Sequence, residues 1–226
     1  MNTSELCVRL NKQLYDHKIT LHTWGNVSVY DSKTGNIYIK PSGVSFDDLT
    51  VDQISIIDHN GKQHSGLKPS VDTPIHNAIY KAFPQIRSIL HTHSKYTTIW
   101  CQCRKNIPIL GTTHADYFPG PIPVLDLPNN FDFDAYETNL GNLIVNYFIE
   151  QKAQPERTGA VLLANHGVFV FSDKPETIIE KTITLEFIAE LAMCCEILGI
   201  NHKDNTSLFN KHFERKHGVN KYYGQS

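Results

Sequence analysis

Ser88-Ile89-Leu90-His91-Thr92-His93-Ser94 decides how this chain is read. Ser88–Thr92 is predicted as a strand, and side chains alternate across a sheet, so His91 and His93 point to one face. A second apolar run, residues 161–164, leads into Asn165-His166-Gly167 and a further apolar run, residues 168–171. With these runs as strands, His166 is placed to close a three-nitrogen metal site from a neighbouring strand. Three protein ligands with one position left for water or substrate is the geometry of an open zinc site. Two of the 12 histidines falling two apart on a half-buried strand is the plain structural alternative, so the surroundings decide.

Outward from that stretch, Leu6, Leu10 and Leu14 recur at helical spacing behind Asn2, Thr3 and Ser4, which predicts a first amphipathic helix. Residues 26–30 and 37–40 flank a turn at Thr34-Gly35-Asn36 and read as a hairpin. Residues 54–58 followed by Asn60-Gly61 suggest a second one. Thr73-Pro74 opens a helix that stops before Pro84, and Ser94 is a cap for a helix through Trp100. Residues 136–151 carry Leu140, Leu143, Ile144, Tyr147 and Phe148 on one stripe. Residues 175–198 read as one long helix with Ile178, Ile179, Ile183, Phe187, Leu191 and Leu198 as its apolar side, closed by Gly199. Early hairpins followed by alternating strands and helices favour helices on both faces of a central mixed sheet. The polar, basic tail from Thr206 onward is read as frayed unless it docks elsewhere.

The chain of 226 residues suits one domain. With 40% hydrophobic and 19% charged residues and a formal net charge of −2, it has no electrostatic footprint for nucleic acid or membrane. An anionic small substrate then needs a local pocket. The five cysteines, Cys7, Cys101, Cys103, Cys194 and Cys195, are odd in number and form no C-x-x-C, so they read as small buried hydrophobes in a reducing compartment. The first 14 residues lack a signal-peptide core, and no apolar stretch approaches the ~20 residues of a membrane span. The expected location is the cytoplasm.

Asp72, just before Thr73-Pro74, is either a helix N-cap or a carboxylate held near the metal. Asn26, Ser42-Gly43 and Ser70 offer amide, hydroxyl and backbone donors, which is what a phosphate needs where no basic patch exists. His114, Asp116 and Tyr117 stand in an otherwise uncharged segment, residues 107–124.

Together these pieces resemble the class II aldolase family, over residues 21–225. The resemblance rests on Thr23-Trp24-Gly25-Asn26-Val27-Ser28, Lys40-Pro41-Ser42-Gly43, and Lys68-Pro69-Ser70 with Asp72-Thr73-Pro74. It continues through His91-Thr92-His93-Ser94, the run from Gly111 to Tyr117, Asn165-His166-Gly167, Lys216-His217-Gly218 and Tyr222-Tyr223-Gly224-Gln225. It implies a three-layer α/β/α sandwich around a central mixed, mostly antiparallel sheet, forming a homotetramer with active sites between subunits. It further implies one Zn²⁺ per subunit, or another divalent metal, on His91, His93 and His166 with Asp72 also on the metal. Gly25, Asn26, Ser42, Gly43, Ser70 and the backbone of Val71 would hold a substrate phosphate. Val71 stands where relatives commonly have a second serine, so one hydroxyl contact is missing. Asp116 and Tyr223 would be acid/base groups reaching a neighbouring subunit's site, with Lys40, His212 and Arg215 as further candidates.

The branch of the family it resembles epimerises L-ribulose 5-phosphate to D-xylulose 5-phosphate. Carbon 4 of a 2-keto sugar phosphate is not adjacent to the carbonyl, so simple deprotonation cannot invert it, whereas cleaving and remaking the C3–C4 bond can. Inversion then needs one acid/base group on each face. A sugar-phosphate aldolase of the same family, releasing dihydroxyacetone phosphate or a related fragment, would use the same histidines. It typically has glutamate where this chain has Asp72. A non-catalytic module of this fold would be expected to have lost the histidines, and a zinc hydrolase would want a glutamate beside the metal.

Overall fold

The computed structural model describes residues 1–200, 205–219 and 221–223. In chain order the elements are α1 (Thr3–Asp16), β1 (Asn26–Asp31), β2 (Asn36–Ile39), β3 (Ser55–Ile57), β4 (Gln63–Ser65), α2 (Thr73–Ala82), β5 (Ser88–Thr92) and α3 (Lys95–Cys103). They continue with α4 (Thr112–Ala115), β6 (Val124–Leu125), α5 (Tyr136–Glu150), α6 (Pro155–Thr158), β7 (Ala160–Leu163), β8 (Val168–Ser172), α7 (Ile178–Leu198) and α8 (Thr206–His217).

The strands form one sheet in the order β4-β3-β2-β1-β5-β8-β7-β6, antiparallel except for the β6–β7 pair. On one face α2 and α5 bury Ile75, Ile79, Leu140, Ile144 and Phe148 against Ile37, Ile89, Val161, Phe169 and Phe171. On the other, α1, α3 and α7 bury Leu10, Leu14, Trp100, Leu185 and Ala189 against Val27, Leu90, Leu162 and Val170. Helices on both sides make an α/β/α sandwich, and they explain why every residue of β5 and β8 is buried. Gly141 lets α5 lie close on α2, because a Cβ there would stand 3.0 Å from both the Ile75 Cα and the Ala78 Cβ.

Several local expectations change. Ser94 occupies the N-cap position of α3 but does not cap it. Glu186 of α7 takes that role, accepting the backbone N–H groups of Tyr96 at 2.7 Å and Thr97 at 3.0 Å and the Ser94 hydroxyl at 2.7 Å. Residues Pro175–Thr177 form a 3₁₀ turn ahead of α7 rather than its first turn. The inner side of α7 is made by Ile178, Ile179, Thr182, Leu185, Ile188, Ala189 and Ala192, while Ile183, Phe187, Leu191 and Leu198 stay exposed. Cys7 and Cys101 are buried, but Cys103 and Cys194 are exposed. The tail is not frayed: α8 docks against the turn at Asp116, although Gly224 and Gln225 lie outside the described residues. Among the described residues no helix is long and apolar enough to cross a membrane.

Candidate metal centre

His91 and His93 stand at the end of β5 with the parity the alternation requires, and His166 sits in the tight turn between β7 and β8. Asn165 takes a left-handed backbone there, φ 58°, a conformation asparagine tolerates better than most residues. The turn closes through Leu163 N–H to Gly167 O, 2.9 Å. The three rings form a nearly equilateral triangle, with centroids 4.9, 4.9 and 5.1 Å apart. Imidazoles bonded at 2.0–2.1 Å to one tetrahedral ion have centroids separated by roughly 5 Å. Among the described residues these three form the group whose ligand atoms all lie within 4.8 Å of one another.

The hydrogen bonds fix which nitrogens face inward. His91 Nδ1 lies 3.0 Å from the Val168 carbonyl, which can only accept, so Nδ1 is the donor there and Nε2 is the nitrogen turned toward the other rings. That Nε2 stands 3.0 Å from His93 Nε2, close enough for the two nitrogens to share a proton or, in its place, a cation. Desolvation at the cleft wall, reinforced by the neighbouring imidazoles, pushes His93 down to about 4 and His166 down to about 3, although His93 keeps part of its surface open to solvent. Both imidazoles are neutral at pH 7. The His91 ring stacks on Phe169 of β8 at 4.3 Å and 18°, and His166 meets the same ring edge-on. The site is therefore built on the most buried strands of the sheet, and the residues fit a divalent ion of imidazole preference.

Asp72 is not a helix cap. Its side chain makes no capping bond at α2; instead it accepts from Asn26 Nδ2 at 2.7 Å and lies 3.4 Å from the Ser70 hydroxyl. Burial opposes its ionisation, but the nearby His91 and His76 and the Asn26 hydrogen bond outweigh that and hold the carboxyl below its usual range. Asp72 lines the same cleft as the histidines but stands outside the three-ring group, tied to the residues singled out for phosphate.

That cleft, about 560 Å³, is walled by Gly25, Asn26, Lys40, Ser42, Gly43, Ser70 and Val71. Gly25 and Gly43 both need positive φ, 74° and 72°. Ser42 N–H donates to Lys68 O at 3.0 Å, and Pro41 bridges Pro69, so the two loops lie side by side. Lys40 is 2% exposed and sits beneath them, pushed down to about 8 by burial, its ammonium 4.6 Å from the Phe46 ring centroid.

Asp116, His212, Arg215 and Tyr223 come together elsewhere. Asp116 and Tyr223 line a separate cavity of about 740 Å³ that contains none of the three histidines. His212 Nδ1 lies 3.0 Å from Asp116 Oδ1, and the Arg215 and Lys216 cations stand over the Tyr223 ring at 4.8 and 4.6 Å.

Tyr136, Glu137 and His76 escaped the sequence reading. Tyr136 and Glu137 open α5 and line the metal cleft, with the Tyr136 hydroxyl 3.1 Å from His166 Nδ1. His76, one turn after Asp72, is fully buried and bonded through Nδ1 to Ser28 Oγ at 2.7 Å, which in turn lies 2.8 Å from the Tyr80 hydroxyl. A usable signal was present in the i, i+4 spacing of Asp72 and His76.

Residues 5–193 match the family model described as "Class II Aldolase and Adducin N-terminal domain". The chain is 38% identical to the probable L-ribulose-5-phosphate 4-epimerase UlaF of Mycoplasma pneumoniae, over 98% of this chain and 93% of that one. It is 37% identical to the L-ribulose-5-phosphate 4-epimerase UlaF of Salmonella paratyphi C, over 96% and 99%. Among solved structures, an L-fuculose 1-phosphate aldolase superposes with a TM-score of 0.76 at 22% identity, covering 92% of this chain and 94% of that one, a likeness of fold. With the histidine cluster and both loops in place on this sandwich, the chain belongs to the class II aldolase and adducin N-terminal domain family.

Proposed function

We propose that this chain epimerises L-ribulose 5-phosphate to D-xylulose 5-phosphate at carbon 4, by breaking and remaking the C3–C4 bond. The observation that carries the reading is the triangle of imidazoles beside two loops rich in backbone and hydroxyl donors. The names of the curated relatives point to the same substrate.

His91, His93 and His166 would hold one divalent ion, zinc being the one we assign, and Asp72 lies in the same cleft to supply an oxygen. When bound, the ion supplies Lewis-acid stabilisation of the negative charge that develops on the carbonyl and adjacent hydroxyl oxygens as C3–C4 breaks. The protein's own groups do the rest. A base takes the proton from the oxygen on carbon 4, the C3–C4 bond breaks, and the leaving half is glycolaldehyde phosphate. Gly25, Asn26, Ser42, Gly43, Ser70 and the Val71 backbone N–H keep its phosphate anchored, with the Lys40 charge beneath, while its carbonyl turns over. Addition to the opposite face then needs an acid to return a proton to that oxygen. Asp116 and Tyr223 serve the two faces.

Within one chain those two residues line a cavity apart from the histidines, so the reading requires a neighbouring subunit to bring them. The exposed apolar side of α7, Ile183, Phe187, Leu191 and Leu198, supports burial in an assembly, which we take to be a homotetramer. The five free cysteines support a reducing compartment, the cytoplasm. The test is incubation of purified, metal-analysed protein with L-ribulose 5-phosphate. D-xylulose 5-phosphate forms, and its formation stops on chelation; a protein active without metal contradicts the reading.

A further inference from the structure

Of the three histidines, His91 is pinned twice by its own sheet, through the Val168 carbonyl and the face of Phe169. His166 is placed differently. It sits at a turn, and its Nδ1 faces the hydroxyl of Tyr136 at 3.1 Å, with the two rings stacked at 6.1 Å and 18°. Tyr136 is the first residue of α5, and that helix is brought to the site by its close packing on α2 at Gly141. Its ring is backed in turn by Phe133, stacked at 6.2 Å and 9°, and by Phe131 edge-on at 5.9 Å. A backed aromatic ring with its hydroxyl on an imidazole nitrogen is a rigid support.

We infer that Tyr136 is the positioning residue of His166: its hydroxyl oxygen accepts the Nδ1 proton, fixing the tautomer that leaves Nε2 bare toward the metal. The inference rests on the metal reading above. A neutral imidazole carries one proton, and the nitrogen that holds it cannot ligate, so whichever partner claims Nδ1–H decides which nitrogen faces the ion. Partners of this kind orient metal-ligating histidines and raise their basicity, and losing one typically costs 10–100-fold in metal affinity. Tyr136→Phe keeps the ring, the stacking and the volume while deleting the acceptor. Tyr136 thus couples the α2–α5 layer to a ligand carried by the sheet.

The test compares wild type, Tyr136→Phe and His166→Ala by chelator competition with zinc and by the absorption spectrum of the cobalt-substituted proteins. Tyr136→Phe should bind zinc about 10–100-fold more weakly and shift the cobalt bands, with an unchanged circular dichroism spectrum. His166→Ala should lose the metal. If Tyr136→Phe matches wild type in affinity and spectrum while His166→Ala loses the metal, the inference is overturned and the metal reading stands. If wild type takes up no metal, or His166→Ala takes up as much, both fall. Imidazole ¹⁵N NMR of the metal-loaded wild type gives an independent check that needs no variant. A proton on His166 Nδ1 supports the inference, and a proton on Nε2 overturns it.

Discussion

Arg215 grips Asp116 from 99 residues further along the chain: its Nη2 lies 2.9 Å from Oδ2 and 3.0 Å from Oδ1, and its Nε 3.2 Å from Oδ1. Such forked, charge-assisted bonds are among the stronger polar contacts in proteins. They tie the tail helix α8 to the turn that carries a proposed acid/base group. Burial opposes ionisation of Asp116, but the hydrogen bonds from Arg215 and His212 and the charge of Lys216 outweigh it and hold the carboxyl below its usual 3.8.

A depressed folded pKa means that the unfolded chain binds the proton more readily. The pairing therefore contributes its full stability above pH about 4, the ordinary carboxylate value, and loses it as pH falls through the folded value. Arg215→Met should lower stability at pH 7 and flatten the acid dependence of urea denaturation. It should also move the acid limb of kcat/KM to higher pH, because Asp116 then protonates sooner. An unchanged acid limb would remove Asp116 from the proton-transfer role.

Lys40 trades stability for a cation beside the two loops proposed to hold phosphate. Burial pushes it from 10.5 down to about 8. Between those values the unfolded state holds more protons, so stability rises with pH there, and below pH 8 the buried charge is a constant cost. Lys40→Met should be more stable at pH 7 by about 0.5–2 kcal/mol, the common size of a single stabilising substitution, and the difference should shrink above pH 8. Calorimetric binding of inorganic phosphate should weaken in wild type as pH rises through about 8, and be weak and flat across that range in the variant.

Gly167 packs tightly behind the histidine cluster. A Cβ there would stand 2.7 Å from Thr92 O, 3.0 Å from His93 Cδ2 and 3.1 Å from His91 Cε1. Gly167→Ala should push both rings off their positions, weakening zinc binding by about 10–100-fold and costing about 1–3 kcal/mol of stability through overpacking. Chelator competition and thermal melting read the two effects separately.

The parity of His91 and His93 was legible because a strand alternates, and His166 because two apolar runs bracket it. Hairpin turns and helix stops were legible for the same local reason: glycine, proline and asparagine act on their own backbone. What escaped depended on distant partners. Asp72 has the position of a cap, yet Asn26 on β1 claims its carboxylate. Ser94 has the chemistry of a cap, yet Glu186, 92 residues on, supplies it. Tyr136 reads as the start of an amphipathic helix, and nothing local says that its hydroxyl meets His166. The apolar residues of α7 lie on two sides of the helix, and periodicity cannot tell which one meets the sheet. Two-residue β6 and four-residue α4 and α6 are too short for any period to register.

If carbon 4 inverts by metal-dependent cleavage of its bond to carbon 3, the hydrogen on carbon 4 never leaves. NMR of the reaction run in D₂O with metal-loaded protein and L-ribulose 5-phosphate tests this directly. The D-xylulose 5-phosphate formed should retain ordinary hydrogen at carbon 4, and turnover should stop once the metal is chelated. Deuterium at carbon 4, or undiminished turnover after chelation, would contradict it.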